Sequence, residues 1–404
     1  MKSPTKPIFL AAVLLVLLTA ACKPTPTPLP PIRTPEPVQV TYTPVPPSPM
    51  PVTDTPDAPP KGTPTEPPPF TGLAFVYLDM LTESTGWALT TTSVVRTTDG
   101  GETWTDVSPD DWSPDMLPSS AFFRNELHAW VIQTDPVDFE RGTFYHTSDS
   151  GASWLKYDVP FGAGMMSFYD NRNGWIMVGL GAGAGSQAIA IFVTHDGGAS
   201  WSETYRRDTG EPEPEGEIPL VGSKQGITFR DSSHGYVTGS IPMDNFSYLY
   251  SSNDGGFHFQ QQNIPLPGAI DTAMFSLEAP IFFTSQEGIL PVYLYTPDAA
   301  YTVFYTTSDG GTHWTPTALL PVLGRFSAPE LDNWFVWDGN TLYHSTDIGE
   351  TWDEVNPNIN LDSMISTLDF VDGQNGWVTW VDADGVTGLS FTADGGATWT
   401  ALQP

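Results

Sequence analysis

An eight-residue phrase returns seven times along this 404-residue chain, so the fold must be assembled from copies of one unit. The phrase reads Ser/Thr, any residue, Asp, any, Gly, any, Ser/Thr, Trp. Its first copy is Thr97-Thr98-Asp99-Gly100-Gly101-Glu102-Thr103-Trp104. The aspartate recurs at Asp149, Asp196, Asp254, Asp309, Asp347 and Asp394, at intervals of 50, 47, 58, 55, 38 and 47 residues. The closing aromatics are Trp154, Trp201, Phe259, Trp314, Trp352 and Trp399. A leading hydroxyl and an Asp can bond backbone groups across a tight turn, Gly accepts a positive φ, and an aromatic can plug the layer beneath. The fourth copy ends His258-Phe259, which predicts a turn that loses hydrogen bonding but keeps its plug.

A second signature precedes each phrase. An aromatic leads another by seven positions at Phe123 and Trp130, Phe168 and Trp175, Phe229 and Tyr236, Phe275 and Phe282, and Phe370 and Trp377. Phe326 and Trp334 stand in the sixth repeat and Met80 and Trp87 in the first. Short β-rich runs then lead into the phrase, so each repeat reads as four strands, A to D, with the phrase as the C-to-D turn. An interval of roughly 40 to 50 residues suits one such four-stranded blade. A blade buries its sheet face only against the next, so the expected fold is all-β, a seven-bladed β-propeller over residues 71–404. Eleven of the 14 tryptophans fall at the two repeat positions and are expected in the core. Whether the ring closes by exchanging a strand is open at this point.

Residues 1–21 have the form of an export signal: Lys2 and Lys6, an apolar run over 8–18, then Ala20-Ala21. The apolar stretch of 14 residues is shorter than the roughly 20 that span a bilayer as a helix. Cys22, the only cysteine, follows directly. Residues 22–70 are rich in Pro and Thr and predict a disordered stalk of polyproline character, able to extend up to ~150 Å. Residues 71–404 carry a net charge of −33. That balance argues against nucleic-acid binding and against direct adhesion to anionic lipid, and suits a self-repelling, monomeric propeller.

The C-to-D turns define one face, and the B-to-C and D-to-A connections lie on the other, where the loops vary in length and recognition is expected. Candidate ligand contacts there are Asp110, Asp111 and Trp112, with Arg206 and Arg207 on a second insertion. Asp382-Ala383-Asp384-Gly385 reads as a polar turn, since the distal glutamate of a calcium loop is missing. The glycine run over 179–185 imitates a dinucleotide fingerprint but sits between two strands with no helix after it. No cofactor, metal or catalytic set is therefore expected.

Residues 1–22 resemble a bacterial lipoprotein signal, with Thr19 where Leu is usual. The resemblance implies a lipid on Cys22 and a protein held at the outer face of the cell membrane, or on the periplasmic side where there are two membranes. The phrase resembles the Asp box of bacterial neuraminidase-repeat propellers. From Gly-Trp strand to Thr-x-Asp-Gly-Gly-x-Thr-Trp turn, residues 71–404 are similar to the photosystem II assembly-factor type of repeat, which implies a binding or assembly scaffold for a protein or glycan partner. That family uses an arginine-rich face; here, of eight arginines and two lysines, only Arg206 and Arg207 are adjacent. The alternative is a sialidase-like or other glycoside hydrolase, which implies three converging arginines and a catalytic carboxylate set. Its Phe-Arg-Ile-Pro signature is approached only by Phe123-Arg124-Asn125 and Phe229-Arg230-Asp231.

Overall fold

The computed structural model describes residues 73–113, 118–210, 214–358, 364–381 and 387–403. The expectations for residues 1–70, Cys22 among them, and for the turn at 382–385 fall outside these. The described residues form strands and turns with no helix. Strands group into seven antiparallel blades at residues 75–106, 118–159, 165–207, 223–261, 274–316, 325–355 and 364–402. Five are separate four-stranded sheets in the order A-B-C-D, whereas blades 4 and 5 merge into one nine-stranded sheet. The fold is the expected seven-bladed β-propeller.

The two repeat aromatics have a joint purpose that spacing alone does not reveal. The strand-A aromatic lies opposite a small residue of its own blade: Phe168 faces Gly174, Phe229 faces Gly235 and Phe370 faces Gly376. A Cβ on Gly174 would sit 2.3 Å from the Phe168 ring, so glycine precedes the aromatic of strand B because the phenyl occupies that space. The same phenyl then stacks on the strand-B aromatic of the preceding blade. Trp130 meets Phe168 at 4.0 Å, Trp175 meets Phe229 at 3.8 Å and Phe335 meets Phe370 at 3.6 Å, all with nearly parallel planes. Two repeats depart from the expected pairs: in blade 6 Phe335, not Trp334, faces Ser327 and takes the strand-B place, and in blade 5 Phe282 faces Gly288 and takes the strand-A place expected for Phe275. The strand-B ring also donates to the fourth residue of the next blade's phrase. Trp130 Nε1 reaches Gly197 O at 2.9 Å, Trp175 Nε1 reaches Gly255 O at 2.8 Å, and the Tyr236 hydroxyl reaches Gly310 O at 2.6 Å.

Within the phrase the hydrogen bonds repeat from blade to blade. Thr194 Oγ1 donates to Asp196 Oδ1 at 2.8 Å and accepts from Gly198 N at 2.9 Å, while Ser200 donates to Asp196 through both N and Oγ. Gly198 has φ +96°, and a Cβ there would lie 2.1 Å from the Phe144 ring, so only glycine fits. The fourth turn corrects its expectation: His258 Nδ1 lies 2.7 Å from Asp254 Oδ2, so an imidazole replaces the missing hydroxyl. His313 does the same for Asp309, where the His313 N–H and then its ring hold the carboxyl down at about 2. Six of the seven phrases are tied to the A-to-B turn beside them, for example Gly100 N to Ser84 O at 2.8 Å and Gly395 N to Gln374 O at 2.9 Å. Both sets of turns thus share one face and brace one another.

The ring closes without exchanging a strand: blade 1 is built from Phe75–Met80, Gly86–Thr90, Val94–Thr97 and Thr105–Asp106, and blade 7 ends with its own Thr400–Leu402. Side chains join the two. Trp377, fully buried, donates to Gly100 O at 2.7 Å, and Thr387 Oγ1 donates to Leu73 O at 3.2 Å. Leu73, Phe75, Leu78 and Met80 of blade 1 share one apolar cluster with Trp377 and Leu389 of blade 7.

Candidate functional site

The inner strands enclose a channel of about 1020 Å³ whose lining includes Tyr77, Phe122, Met166, Ser167, Thr228 and Ile281. The residue before each strand-A terminal hydrophobic can reach the backbone of the next blade. Ser167 Oγ accepts from Phe229 N and Ser327 Oγ from Phe370 N, both at 2.9 Å. At the junction of blades 7 and 1 a carboxylate takes the place of serine, and Asp369 Oδ2 accepts from Met80 N at 2.6 Å. Asp79 holds the equivalent position in blade 1, so two carboxyl groups from adjacent inner strands meet at this junction. Burial raises Asp79 to about 7, partly opposed by a hydrogen bond from Tyr77. Burial, and then the charge of Asp79, raises Asp369 well above the usual carboxylate range. Tyr77 is raised too, by burial and by both carboxyl groups. Asp79 and Asp369 are half-buried between the two blades, and the Tyr77 side chain is 41% exposed.

Arg124 and Arg230 also line the channel. Each spans a blade junction: Arg124 donates to Asn171 Oδ1 and Tyr169 O at 2.9 Å, and Arg230 Nη1 to Ser285 O at 2.8 Å. Among the residues lining this channel there is no third arginine, so the converging triad implied by the sialidase resemblance is not assembled there.

On the face opposite the phrase turns lies a cleft of about 880 Å³ between the upper loops of blades 2 and 3. Its rim carries Phe139, 76% exposed, with Met165 and Leu180. Val137, 91% exposed, adjoins Phe139; Val221 stands exposed on the loop to blade 4 and Met243 near the end of that blade's strand B. Arg141, Arg206 and Lys224 supply positive charge and Asp138, Glu140 and Asp208 negative charge, with Arg206 paired to Glu203 at 2.5 Å.

The sequence-derived candidates separate. Arg206 is on this cleft. Arg207 is buried, its Nε donating to Ile218 O at 2.8 Å and its Nη2 to the Tyr205 hydroxyl at 3.2 Å, so it anchors the loop to blade 4. Asp110, Asp111 and Trp112 lie on blade 1. Trp112 Nε1 donates to Thr92 O at 2.8 Å and its ring packs 5.7 Å from Tyr145. Asp111 pairs with Lys156, and with Asp110 it borders a separate groove of about 560 Å³ that also holds the second phrase. Sequence reasoning missed Phe139, Met165 and Leu180, because their exposure depends on loop geometry. It missed Asp79 and Asp369 despite a visible signal: both place a charge just before the terminal hydrophobic of strand A, where other repeats carry Ser167 or Thr228.

No protein-family profile matches the chain. No curated protein matches it either. Solved structures do. Ycf48 bound to a D1 peptide is 17% identical with a TM-score of 0.50, covering 80% of this chain and 92% of that one. The GH74 xyloglucanase of Xanthomonas campestris is 13% identical with a TM-score of 0.54 over 82% of this chain and 55% of the enzyme. A PL25 ulvan lyase is 9% identical with a TM-score of 0.50 over 83% and 96%. What the chain has in common with all three is the propeller fold.

Proposed function

We propose that this chain is a binding module, a propeller presented outside the cell membrane by a lipid on Cys22 and a Pro/Thr-rich stalk, which engages a partner on the face opposite the phrase turns. One observation carries the reading. Large apolar side chains gather in the open around the upper cleft, where Phe139 and Val137 are almost wholly exposed. Clustered exposed apolar surface is costly to keep in water and marks a surface that is covered when the protein works. The fold likeness to Ycf48, a propeller seen with a bound peptide, supports a polypeptide as the partner.

The hydrolase alternative is best served by Asp79 and Asp369, the half-buried carboxyl pair between blades 7 and 1, and Asp369 is already engaged by the Met80 N–H. A panel of fluorogenic glycosides, sialosides included, is expected to stay at background with the purified protein. Turnover that disappears in Asp79→Asn would replace the binding module with an enzyme. Tethering has its own test. Cys22→Ser is expected to move the protein from the membrane pellet to the soluble fraction, since the preceding apolar stretch is too short to span the bilayer. A variant that stays in the pellet would end the lipid-anchor proposal.

A further inference from the structure

Blade 3 carries a strand B, Gly174–Gly183, that outruns its partner on one side. Strand A, Met165–Phe168, pairs with it only from Gly174 to Met177. Strand C, Ser186–Thr194, follows the other side to the tip, where Gly183 faces Ser186. That outer side is closed further by the loop to blade 4, through Gln187 N to Leu220 O at 2.9 Å and Gly222 N to Gly185 O at 2.8 Å. Above Met177, the strand-A side of residues 178–183 pairs with no strand among the described residues, and it borders the upper cleft.

We infer that this edge accepts an extended segment of a partner protein as an added β-strand, with an apolar side chain of that segment seated among Phe139, Met165 and Leu180. Val178-Gly179-Leu180-Gly181-Ala182-Gly183 has neither the Pro nor the charge that blunts many open edges; its one irregularity is a bulge at Gly179 to Gly181, where Gly181 has φ +135°. Its glycines leave the backbone bare. A Cβ on Gly181 or Gly183 would meet nothing within 4 Å, so another main chain can approach to strand-pairing distance. The other ten-residue strand B, Gly235–Asp244 of blade 4, also outruns its neighbour but on the opposite side: Ser240 pairs with its own strand A at Ser223, and beyond strand C it pairs with Ser276 of blade 5.

The site also sets the chemistry of its occupant. Main-chain pairing requires N–H groups, which excludes proline at the paired positions. Alternate residues face the cleft and are apolar there. The cleft itself is balanced, with Asp138, Glu140 and Asp208 against Arg141, Arg206 and Lys224, so it is the domain's net charge of −33 that favours basic flanking residues. The inference rests on the binding-module reading and names its partner as an extended, basic-flanked polypeptide.

The test uses the full chain and a labelled peptide of alternating Val and Thr with a Lys at each end, together with two versions N-methylated at alternate residues in opposite registers. Fluorescence anisotropy is expected to detect binding, one N-methylated version losing roughly tenfold in affinity and the other little, because an added strand directs every second N–H to its neighbour. Amide exchange over residues 178–183 is expected to slow, and Phe139→Ala and Leu180→Ala to weaken binding several-fold while leaving the unfolding midpoint in place. Equal binding of all three peptides, unchanged exchange, or no binding at all would overturn strand addition. So would a dimer in sedimentation that Leu180→Lys dissociates, since a second copy would then hold the edge. Glycoside turnover alongside intact peptide pairing sinks the module reading alone; a silent panel without pairing sinks the strand site alone.

Discussion

Trp377→Ala is expected to destabilise the propeller by on the order of 4 kcal/mol, read as a lower denaturant midpoint. The residue is fully buried, and its indole is the link between the last blade and the first through Gly100 O. Removing it leaves a cavity in the cluster that joins Leu73, Phe75 and Met80 to Leu389, and strands a carbonyl away from water. Three other junctions stack a phenyl on an indole, whereas here the strand-A position is Met80, so less packing remains to absorb the loss. Trp377→Phe keeps most of the apolar volume and loses the donor, and a cost of about 1–2 kcal/mol is expected for it. Equal effects of the two substitutions would show that the cross-blade hydrogen bond contributes nothing.

Stability should also fall as the solution is made less acidic. Asp79 and Asp369 both bind their protons more tightly in the folded chain than in the unfolded one, with Asp79 raised from 3.8 to about 7. A raised carboxyl adds protons to the folded state. Its contribution is complete below about pH 4 and is lost as pH climbs through 7, the reverse of a salt-bridged carboxylate. The loss is expected between pH 4.5 and pH 8, with stability higher at the acidic end. Asp79→Asn is neutral throughout and should flatten that slope. Asp369→Asn should flatten it as well while keeping a carbonyl oxygen for the Met80 N–H. Urea unfolding at a series of pH values measures both. A slope as steep in the two variants as in the parent chain would remove the channel carboxyl groups as its cause.

The architecture was legible because its determinants are local and repeated. A Ser/Thr, an Asp and a Gly at fixed spacing close each turn by themselves, so seven phrases announced seven blades. The reason for the paired aromatics was not legible, since Trp175 meets Phe229 and Gly255 only when the neighbouring blade is in place. Candidate contacts fared according to how far each depends on such neighbours. Arg206 and Arg207 are adjacent in sequence, yet strand alternation sends one to the cleft and the other beneath the loop to Ile218. Trp112 read as an aromatic free for stacking, but Thr92 and Tyr145 of the surrounding fold claim it. The open edge at 178–183 was visible only as a glycine run, because whether a strand has a neighbour is a property of the sheet.

Because every blade uses a contiguous stretch of chain and no strand is lent across the seam, duplicating or deleting one repeat would add or remove one whole sector, the shared sheet of blades 4 and 5 being the one place where a neighbour would lose strand partners. Gene lineages carrying such a wheel are free to vary its diameter in whole steps, and the wedge angle between neighbouring sectors, rather than connectivity, sets which counts can survive.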